Sequence, residues 1–542
     1  MTRWDDTPPS MRLEAHYADR VMRCFADRPA SLHDMLEDAA QRYPQSEALV
    51  CGSQRLSYAE LIEQAAWIAA GLQSIGIRQG DRVAMLLGNR IEFVLVLFAA
   101  ARLGAIAVPL SVREQGPGIA FMLNQCQASV VVHEDELSDR LPTLQAAPAL
   151  RTRVAVGAAT GSLSLTDWMQ PRPAPPVARV SQEDTAVLLY TSGTTGRPKG
   201  AMLTHLGIVH SSMHYRVAMG LGPTDSTVAA VPLSHVTGLV ALITTFVHCA
   251  GKLVIMPAFK AGLFLDLAVR ERITHTLMVP AMYNLCLIQP GFGTQDLSAW
   301  RVGAYGGAPM PVASIEALAR TVPSLTLLNC YGSTETTSPS TLMPQGATAT
   351  HGHTVGRALP CVDMCVMDDD GREVPPDTLG EIWIRGPMVV PGYWDNPEAT
   401  KANFTAGYWR SGDLGAIDAQ GFVRVVDRKK DMINRGGYKI YTIEVENALY
   451  EHPAVLECAV VARSCPVLGE RVHAYVSLAD PVVDAEMLRQ HCLPRLSDYK
   501  VPESFTLQST PLPRNANGKL LKREMRDALV AAAAALRPQE TT

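Results

Sequence analysis

Hydrophobic and polar positions follow two different periods in the first part of the chain. Ser57 and Glu60 form a capping-box pattern, and the stretch behind them, LIEQAAWIAAGLQSIG, has apolar residues at a spacing of three to four. This spacing predicts an amphipathic helix that ends at Gly76. The next stretch, GDRVAMLLGN, is a short apolar run between turn residues and predicts a buried strand, and a helix over 91–103 and the strand AIAVPL follow it. Such alternation predicts an α/β fold with largely parallel sheets.

Later segments continue this alternation and indicate a second domain. Residues 150–182 are rich in proline and small polar residues, so we expect a surface connection there rather than a core element. Near the end of the chain, IEVENALYEHP, VLECAVVA, RVHAYVSL and AEMLRQHCL predict a small unit of helix, strand, strand and helix. We place a boundary near Lys430. The predicted domains are a large N-terminal domain, residues 1–429, and a smaller C-terminal domain, residues 430–542.

Composition and charge exclude several classes of protein. The formal net charge of −5, without a basic run, argues against a nucleic-acid-binding protein. The 11 cysteines have no C-x-x-C spacing, as expected for reduced thiols in the cytoplasm rather than a disulfide scaffold or a zinc site. The polar, acidic N-terminus does not resemble a secretory signal, and the longest apolar stretch is interrupted by Arg102 and Gly104. We therefore expect a cytoplasmic protein without stable membrane association.

The stretch YTSGTTGRPKG, residues 190–200, is the first candidate for chemistry. Glycines let backbone N–H groups point inward, hydroxyls add donors and a lysine adds charge, so the loop could bind a polyphosphate; the alternative is a surface turn. It is not the G-x-x-x-x-G-K-[ST] loop of nucleotide hydrolases, and Pro198 removes one backbone donor, which disfavours that class. The predicted phosphate-binding residues are Thr191, Ser192, Gly193, Thr194, Thr195, Gly196 and Lys199.

This loop resembles the signature loop of the adenylate-forming enzymes, which include acyl-CoA synthetases, peptide-synthetase adenylation domains and luciferases. Other stretches match that family in order: PLSHVTGL, AYGGAPM, NCYGSTET, GEIWIRGPMVVPGYWDNPEAT, YWRSGDLG, DRKKDMINRGGYKIYTIEVE and PRNANGK. The resemblance spans residues from about 30 to 525 and is closest to the acid–CoA ligases. It implies an N-terminal AMP-binding domain of packed α/β sheets with a smaller β subdomain, followed by a mobile C-terminal α/β domain.

The resemblance also implies the reaction and its cofactors. A carboxylic acid reacts with ATP and Mg²⁺ to give acyl-AMP and pyrophosphate, and the thiol of CoA, the co-substrate, then gives acyl-CoA and AMP. The phosphate loop would hold the β- and γ-phosphates, so the enzyme would be an AMP-forming acid–thiol ligase. The alternative is a stand-alone adenylating enzyme that loads a separate carrier protein. Only a short stretch follows Lys519, so we expect a free thiol rather than a fused carrier domain.

Motif positions imply roles at the nucleotide. Glu335 resembles the family's magnesium ligand and Thr334 its α-phosphate donor, whereas Asp413 and Arg428 resemble its ribose-binding residues. Lys519 would neutralise the carboxylate and the α-phosphate during adenylation. A lysine acetyltransferase acting on Lys519 would delete that charge. The remaining nucleotide-binding residues implied by the motifs are Gly307, Ala308, Pro309, Asn329, Cys330, Tyr331, Gly332 and Ser333.

The second half-reaction implies a movement of the C-terminal domain. Lys430 matches the family's hinge residue, and rotation about it would replace Lys519 by Gly436 and Gly437 beside a pantetheine tunnel. Thr442 stands where the family usually has proline, a departure that puts little in doubt beyond local rigidity.

The motifs do not identify the carboxylic acid substrate. His235 resembles the family's histidine between the acyl site and the thiol tunnel, with Ser234 in place of the usual aromatic residue. The motif has no acidic residue, so we expect an acid without an α-amine. The candidate pocket segments 235–240, 303–307 and 331–340 are rich in small, apolar and hydroxyl residues, which favours a small to medium aliphatic or aromatic acid over a polyanion. A luciferase-like oxygenase is disfavoured because nothing beyond the shared motifs points to it, and a non-catalytic nucleotide sensor is disfavoured because Glu335, Asp413 and Lys519 are all present. The sequence leaves a homodimer open. The predicted acyl-pocket residues are His235, Thr237, Gly238, Gly303, Tyr305 and Gly306.

Overall fold

The computed structural model of the protein describes residues 9–191, 197–308, 310–514 and 520–535. Residue contacts divide the chain into two compact units. The first comprises Met1–Cys365, Trp383–Arg410 and Gln420–Val423, and the second comprises Val366–Ile382, Ser411–Ala419 and Arg424–Thr542.

The strands are named in chain order. They are β1 Met11–His16, β2 Arg20–Phe25, β3 Glu47–Cys51, β4 Gln54–Ser57, β5 Arg82–Leu86, β6 Ile106–Pro109, β7 Val130–Glu134, β8 Thr152–Val156, β9 Leu163–Ser164, β10 Thr185–Thr191, β11 Lys199–Thr204, β12 Ser226–Ala229, β13 Lys252–Ile255, β14 His275–Met278, β15 Val302–Gly306, β16 Thr326–Tyr331, β17 Thr341–Leu342, β18 Arg357–Ala358, β19 Asp363–Met367, β20 Gly380–Arg385, β21 Phe404–Thr405, β22 Tyr408–Ile417, β23 Val423–Arg428, β24 Ile433–Arg435, β25 Tyr438–Ile440, β26 Val455–Cys465, β27 Gly469–Leu478 and β28 Ser504–Gln508.

The α-helices follow the same convention. They are α1 Leu32–Arg42, α2 Tyr58–Ser74, α3 Ile91–Arg102, α4 Gly116–Gln125, α5 Leu165–Trp168, α6 His205–Met219, α7 Thr245–Cys249, α8 Ala261–Arg270, α9 Pro280–Leu287, α10 Val312–Thr321, α11 Thr348–His351, α12 Pro397–Asn403, α13 Thr442–Tyr450, α14 Ala485–Cys492 and α15 Lys522–Ala535. Short 3-10 helices cover Asp135–Arg140, Thr334–Thr336 and Asp498–Lys500, and a π-helix covers Thr237–Thr244.

Two largely parallel sheets build the first unit, which confirms the predicted fold class. One has the order β11-β10-β6-β5-β7-β8-β9, and only its β10–β11 pair is antiparallel. The other has the order β18-β17-β16-β15-β14-β12-β13-β3-β4 and is parallel from β16 to β3. In parallel sheets the connecting helices cover the faces, and α3 is accordingly buried along almost its whole length. The apolar stretch over 91–109 is therefore a buried helix and strand, as predicted.

Local signals at α2 are confirmed, but one connection was mispredicted. Ser57 N donates to Glu60 Oε2 at 2.8 Å and Glu60 N donates to Ser57 Oγ at 3.3 Å, which forms the capping box. Residues 150–182 are not only a surface connection, because β8 and α5 form there and Trp168 is buried. A Cβ at Gly71 would lie 2.3 Å from Trp168 Cδ2, so this glycine leaves room for the indole. That space arises only after the chain folds, and no local pattern showed it.

The second unit contains the predicted small α/β segment. Its sheet has the order β25-β24-β27-β26, with β28 parallel to β27, and α13 and α14 lie where the sequence predicted them. Buried apolar side chains between these helices and the sheet form a separate core.

A further sheet, of order β19-β20-β22-β21 with β23 beside β22, forms the β subdomain. Among the described residues, no helix has the length and apolar character needed to span a membrane.

Candidate active site

The phosphate loop is carried by a hairpin at the edge of the first sheet. Strands β10 and β11 are antiparallel, with Thr191 opposite Lys199 and Tyr190 opposite Gly200. The hydroxyl of Thr191 donates to the Lys199 carbonyl at 3.5 Å. Both ends of the predicted loop are thereby fixed. Five of its predicted phosphate-binding residues, Ser192, Gly193, Thr194, Thr195 and Gly196, lie outside the described residues.

Lys199 and an aromatic residue lie together beside this loop. Lys199 Nζ is 5.0 Å from the centre of the Tyr393 ring, a cation–π distance. Tyr393 reaches this position because the segment around it pairs with β11: Trp394 N donates to the Gly200 carbonyl at 2.8 Å. A cavity of about 250 Å³ adjoins the same segment and is lined by Phe121, Gln125, Arg197, Pro198, Lys199, Trp394, Asp395 and Asn396.

Glu335 lies in a buried turn immediately after β16. Ser333 adopts an extended conformation before the 3-10 helix Thr334–Thr336, and its hydroxyl donates to Glu335 Oε2 at 2.5 Å. The hydroxyl of Tyr393 donates to Glu335 Oε1 at 2.9 Å. Burial, followed by the charge of Glu335, raises the pKa of the Tyr393 phenol, so this hydroxyl stays protonated as a donor. Within the described part of the chain, each carboxylate oxygen thus has one donor and keeps lone pairs for a further partner.

Most of the remaining predicted nucleotide-binding residues lie at or just beyond the carboxyl ends of two neighbouring parallel strands. Strands β15 and β16 place Gly306 opposite Cys330 and Tyr305 opposite Asn329. A Cβ at Gly306 would lie 2.5 Å from the Cys330 carbonyl oxygen, so glycine permits this close approach. Ligands of α/β sheets bind at this edge. The exposed residues there are Gly307, Ala308 and Gly332, and Pro309 lies outside the described residues.

Three of the other residues predicted from these strands have a structural explanation. Asn329 is buried, and its side-chain amide donates to the Thr354 carbonyl at 3.1 Å. Gly303 is inside β15, where a Cβ would lie 2.9 Å from Leu325 Cδ1. Tyr305 is fully buried in the same core. These positions place all three at the base of the site, and their part in binding stays a prediction.

His235 lies in a turn before the π-helix. The Thr237 N–H donates to His235 Nδ1 at 3.3 Å, and the Thr237 hydroxyl lies 3.2 Å from the same nitrogen. A Cβ at Gly238 would lie 2.2 Å from the Pro232 carbonyl oxygen, so the turn requires glycine there. Asn89 anchors the turn, because it accepts from Leu233 N at 2.9 Å and donates to the carbonyls of Ala229, Val231 and Met256, at and just beyond the ends of β12 and β13. His235 is therefore half-buried at a fixed position.

The second unit brings together two of the predicted ribose-binding residues. Asp413 on β22 is buried, and Arg428 at the end of β23 places Nε 3.3 Å from Asp413 Oδ1. Lys429 N donates to the Gly412 carbonyl at 2.8 Å, which aligns the two segments. Lys430 follows, and Arg526 donates to its carbonyl at 3.3 Å. Burial lowers the pKa of the Lys430 ammonium.

The predicted CoA-binding glycines form a tight turn between β24 and β25. Gly436 and Gly437 have φ values of +58° and +94°, in the left-handed region that favours glycine. Gly436 N donates to the Leu468 carbonyl at 2.8 Å, and Gly437 N donates to Asn434 Oδ1 at 3.0 Å. Lys519 lies outside the described residues. The described chain on either side of its loop is closed by a bridge between Arg514 and Leu520.

Comparison with known proteins identifies the family to which the chain belongs. Residues 36–394 match the model of the AMP-binding enzyme family, and residues 444–519 match that of the AMP-binding enzyme C-terminal domain. The chain belongs to the AMP-binding enzyme family. It is an AMP-forming enzyme related to the acid–CoA ligases, as the sequence motifs predicted.

Three known proteins illustrate what this AMP-binding enzyme is similar to. Feruloyl-CoA synthase from Amycolatopsis sp is 36% identical over 489 residues, which cover 90% of this chain and 96% of the relative. Fatty acid–[acyl-carrier-protein] ligase ScoC from Streptomyces coeruleorubidus is 33% identical over 508 residues, 90% of this chain and 94% of the relative. Structures of o-succinylbenzoate CoA synthetase (MenE) from Bacillus subtilis are similar with ATP and magnesium ion bound, at a TM-score of 0.81, and with the acyl-adenylate intermediate OSB-AMP, at 0.82. Both are 29% identical and cover 91% of this chain, and 99% and 98% of the MenE chains.

Two side chains contact Glu335 in a way that the sequence-based prediction did not include. Tyr393 is inside the matched stretch PGYWDNPEAT, but its motif gave no partner for it. Ser333 precedes Thr334 and was assigned only to the nucleotide, whereas its hydroxyl contacts Glu335. Ser333 does occupy the N-cap position before the 3-10 helix, but the preference for serine there concerns backbone N–H groups, so it did not predict a contact with the Glu335 carboxylate.

Proposed function

We propose that this enzyme is an ATP-dependent carboxylic acid–CoA ligase that works in two steps. The acid carboxylate attacks the α-phosphorus of ATP, a new P–O bond forms, and pyrophosphate leaves. The sulfur of CoA then attacks the acyl carbonyl, the C–O bond to AMP breaks, and the thiol proton is released. The free carboxylate alone cannot acylate a thiol because oxide is too poor a leaving group. The first step replaces oxide by AMP.

The observation that carries the proposal is the arrangement around Glu335. Two hydroxyls, from Ser333 and Tyr393, fix its oxygens, and the Lys199 ammonium lies over the Tyr393 ring. A buried carboxylate with open lone pairs is a hard oxygen ligand that fits Mg²⁺. When bound there, Mg²⁺ supplies charge neutralisation at phosphate oxygens. Glu335 would hold it, and Lys199 with the phosphate loop would bind the departing phosphates.

Other residues take the roles that the family motifs imply. Thr334 would donate to the α-phosphate, and Lys519 would neutralise charge at the reacting oxygens. Asp413 would accept from the ribose hydroxyls, since a carboxylate has two acceptor oxygens, and Arg428 would support it. The exposed residues Gly307 and Ala308, which follow β15, would border the adenine. Lys430 would serve as the hinge between 1–429 and 430–542.

Support for CoA as acceptor comes from the relatives. The name of the feruloyl-CoA synthase specifies a CoA ester, and the turn at Gly436 and Gly437 offers two consecutive glycines for close approach of a pantetheine arm. ScoC is named as a ligase for acyl carrier protein, so loading of a separate carrier is the second candidate. All 11 cysteines are free, which agrees with a reducing compartment, and we place the enzyme in the cytoplasm.

The acid substrate is proposed by class only. His235 and Thr237 would border the acyl group together with the chain at Gly303–Gly306. The motif around His235 has no aspartate that could bind an α-amine, so we propose an aliphatic or aromatic acid of small to medium size without that group.

The experiment is a panel of carboxylic acids incubated with ATP and Mg²⁺. Pyrophosphate release identifies the acid, and mass spectrometry then compares thioester formation with CoA and with a phosphopantetheinylated carrier protein. We expect CoA ester. Carrier ester without CoA ester for every acid would establish the second candidate, and release of no pyrophosphate with any acid would refute both.

A further inference from the structure

Arg20, the first residue of β2, is almost completely buried although it carries a charge, with 7% of its surface exposed. Its Nη1 donates to the carbonyls of Val389 and Val390, at 3.3 Å each, and its Nη2 donates to the Pro391 carbonyl at 3.2 Å. A planar guanidinium can hold three consecutive carbonyls in this way, whereas an ammonium group cannot match the spacing. Burial of a charge is costly unless such partners are present. The contact therefore defines the path of the chain over 389–391.

The held segment is the one that supports Glu335. Val390 N donates to the Glu335 carbonyl at 3.0 Å, so the backbone of the two residues is joined directly. Tyr393, two residues beyond Pro391, donates its hydroxyl to Glu335 Oε1. Both the main chain and the side chain of Glu335 thus depend on the conformation that Arg20 imposes.

Arg20 lies in a hairpin formed by the antiparallel strands β1 and β2, and this β1–β2 hairpin also contacts the strand that follows the phosphate loop. The guanidinium carbon of Arg20 lies 5.0 Å from the centre of the Tyr17 ring, and the hydroxyl of Tyr17 is 2.8 Å from Thr204 Oγ1. Thr204 ends β11, whose first residue is Lys199, and it caps α6 by accepting from Gly207 N. The β1–β2 hairpin is therefore in contact with both segments that meet at Tyr393.

We propose that Arg20 is a positioning residue for the magnesium end of the active site. It fixes residues 389–391 so that Val390 and Tyr393 hold the Glu335 carboxylate in place for the metal. The proposal rests on the proposed role of Glu335. Arg20 precedes the matched family region, 36–394, and no motif of the sequence contains it.

The test measures ATP affinity by calorimetry, with saturating Mg²⁺ and with EDTA, for the wild type, Arg20→Ala and Arg20→Lys. Glu335 is the proposed ligand of the metal, so a displaced Glu335 should affect only the binding of ATP with Mg²⁺. We expect Arg20→Ala to bind Mg–ATP about tenfold more weakly than wild type, and to bind ATP in EDTA within about twofold of the wild-type affinity. Arg20→Lys keeps the charge but loses the planar fork, so it should be intermediate. Arg12→Ala is the matched control, since Arg12 is on the same hairpin and its side chain is 64% exposed.

A parallel Glu335→Gln variant separates the two hypotheses. If Glu335→Gln loses Mg-dependent affinity and both Arg20 variants bind like wild type, Arg20 has no positioning role. If Glu335→Gln itself shows no Mg-dependent loss, the proposed metal ligand is wrong. Equal weakening with and without Mg²⁺ in the Arg20 variants would show a general structural effect and would overturn the inference. Should Arg20→Ala not fold, the comparison of Arg20→Lys with wild type decides the question in the same way.

Discussion

The phenol of Tyr393 donates a hydrogen bond to Glu335 Oε1 at 2.9 Å, within the buried turn that follows β16. The two residues are 58 positions apart in the sequence, and the same phenol ring lies against Lys199. One aromatic side chain therefore joins the predicted metal ligand to the lysine of the phosphate loop. Its hydroxyl orients Glu335, and its ring occupies the space beside the Lys199 ammonium.

Tyr393→Phe tests the importance of this hydroxyl. The variant keeps the ring beside Lys199 but removes one donor from a buried carboxylate. A hydrogen bond to a charged group contributes about 1.5–3 kcal/mol, so we expect adenylation to slow about tenfold or more. Pyrophosphate release in the presence of the acid gives the rate.

Tyr408→Phe provides the control for Tyr393→Phe. The Tyr408 hydroxyl also donates to a carboxylate, Asp363 Oδ2, at 2.7 Å, but at an exposed position. Its removal should change adenylation by less than twofold. Similar losses in both variants would show that the Tyr393 hydroxyl has no special effect on Glu335.

Local sequence patterns were sufficient to predict some features of the fold, but they did not predict the contacts around Glu335. The helix after Ser57 and the alternation of strands and helices follow from local periodicity and capping, and the structure confirms them. The contacts of Tyr393 and Arg20 join segments that are 58 and about 370 residues apart, so no local pattern encodes them. Trp168 was missed for the same reason, because the space above Gly71 exists only in the folded protein.

Lys519→Ala should separate the two half-reactions. Lys519 is proposed to neutralise charge only while the carboxylate attacks the α-phosphate, so its loss should slow adenylation by orders of magnitude. Thioester formation from preformed acyl adenylate should be largely unchanged. Rapid-quench measurements of the two steps give the comparison, and an equal loss in both would refute the assigned role. Acetylation of Lys519 should have the effect of the alanine variant.

Lys430→Pro should affect the two half-reactions in the opposite way to Lys519→Ala. Proline fixes φ and would restrict rotation about the proposed hinge, so thioester formation should decrease more than adenylation. Lys430→Ala is the control, because it removes the ammonium and leaves the backbone free; the carbonyl that accepts from Arg526 is kept in both variants. An unchanged second step in Lys430→Pro would exclude Lys430 as the hinge.

Thr442→Pro should destabilise the second unit, although proline is favoured at the first position of a helix. Thr442 begins α13, and both its N–H and its hydroxyl donate to Asp427, whose carboxylate is buried. Its hydroxyl also accepts from Lys522 Nζ at 2.9 Å. Proline would leave the buried carboxylate without two donors, at a cost of at least about 1.5–3 kcal/mol.

Denaturant unfolding, followed by fluorescence, measures that cost for Thr442→Pro, Thr442→Val and Thr442→Ser. Valine keeps the N–H donor, so its loss should be smaller than that of proline, and serine keeps both donors and should be close to wild type. A Thr442→Pro protein as stable as wild type would mean that the Asp427 contact makes no net contribution.

Buried histidines should make the fold sensitive to acid, and His210 offers the clearest test. Phe25 N donates to His210 Nε2 at 3.2 Å, and His210 Nδ1 donates to the Leu206 carbonyl at 2.8 Å, so the ring is neutral. Burial lowers the pKa of His210 to about 3. The unfolded chain takes up this proton near pH 6.5, while the folded protein does not. Stability from this group is therefore complete above pH 6.5 and is lost as the pH falls towards about 3, by up to about 1.4 kcal/mol per pH unit.

His210→Gln removes the titration and keeps a donor and an acceptor. We expect its melting temperature to fall less steeply than that of wild type between pH 6.5 and 4, whereas the two curves should run parallel above pH 7. Differential scanning fluorimetry across this range compares the slopes. Other buried histidines keep part of the acid sensitivity in both proteins, since burial also lowers the pKa of His275 to about 3. The difference between the two slopes therefore reports His210 alone, and identical slopes would mean that its proton uptake does not contribute to acid unfolding.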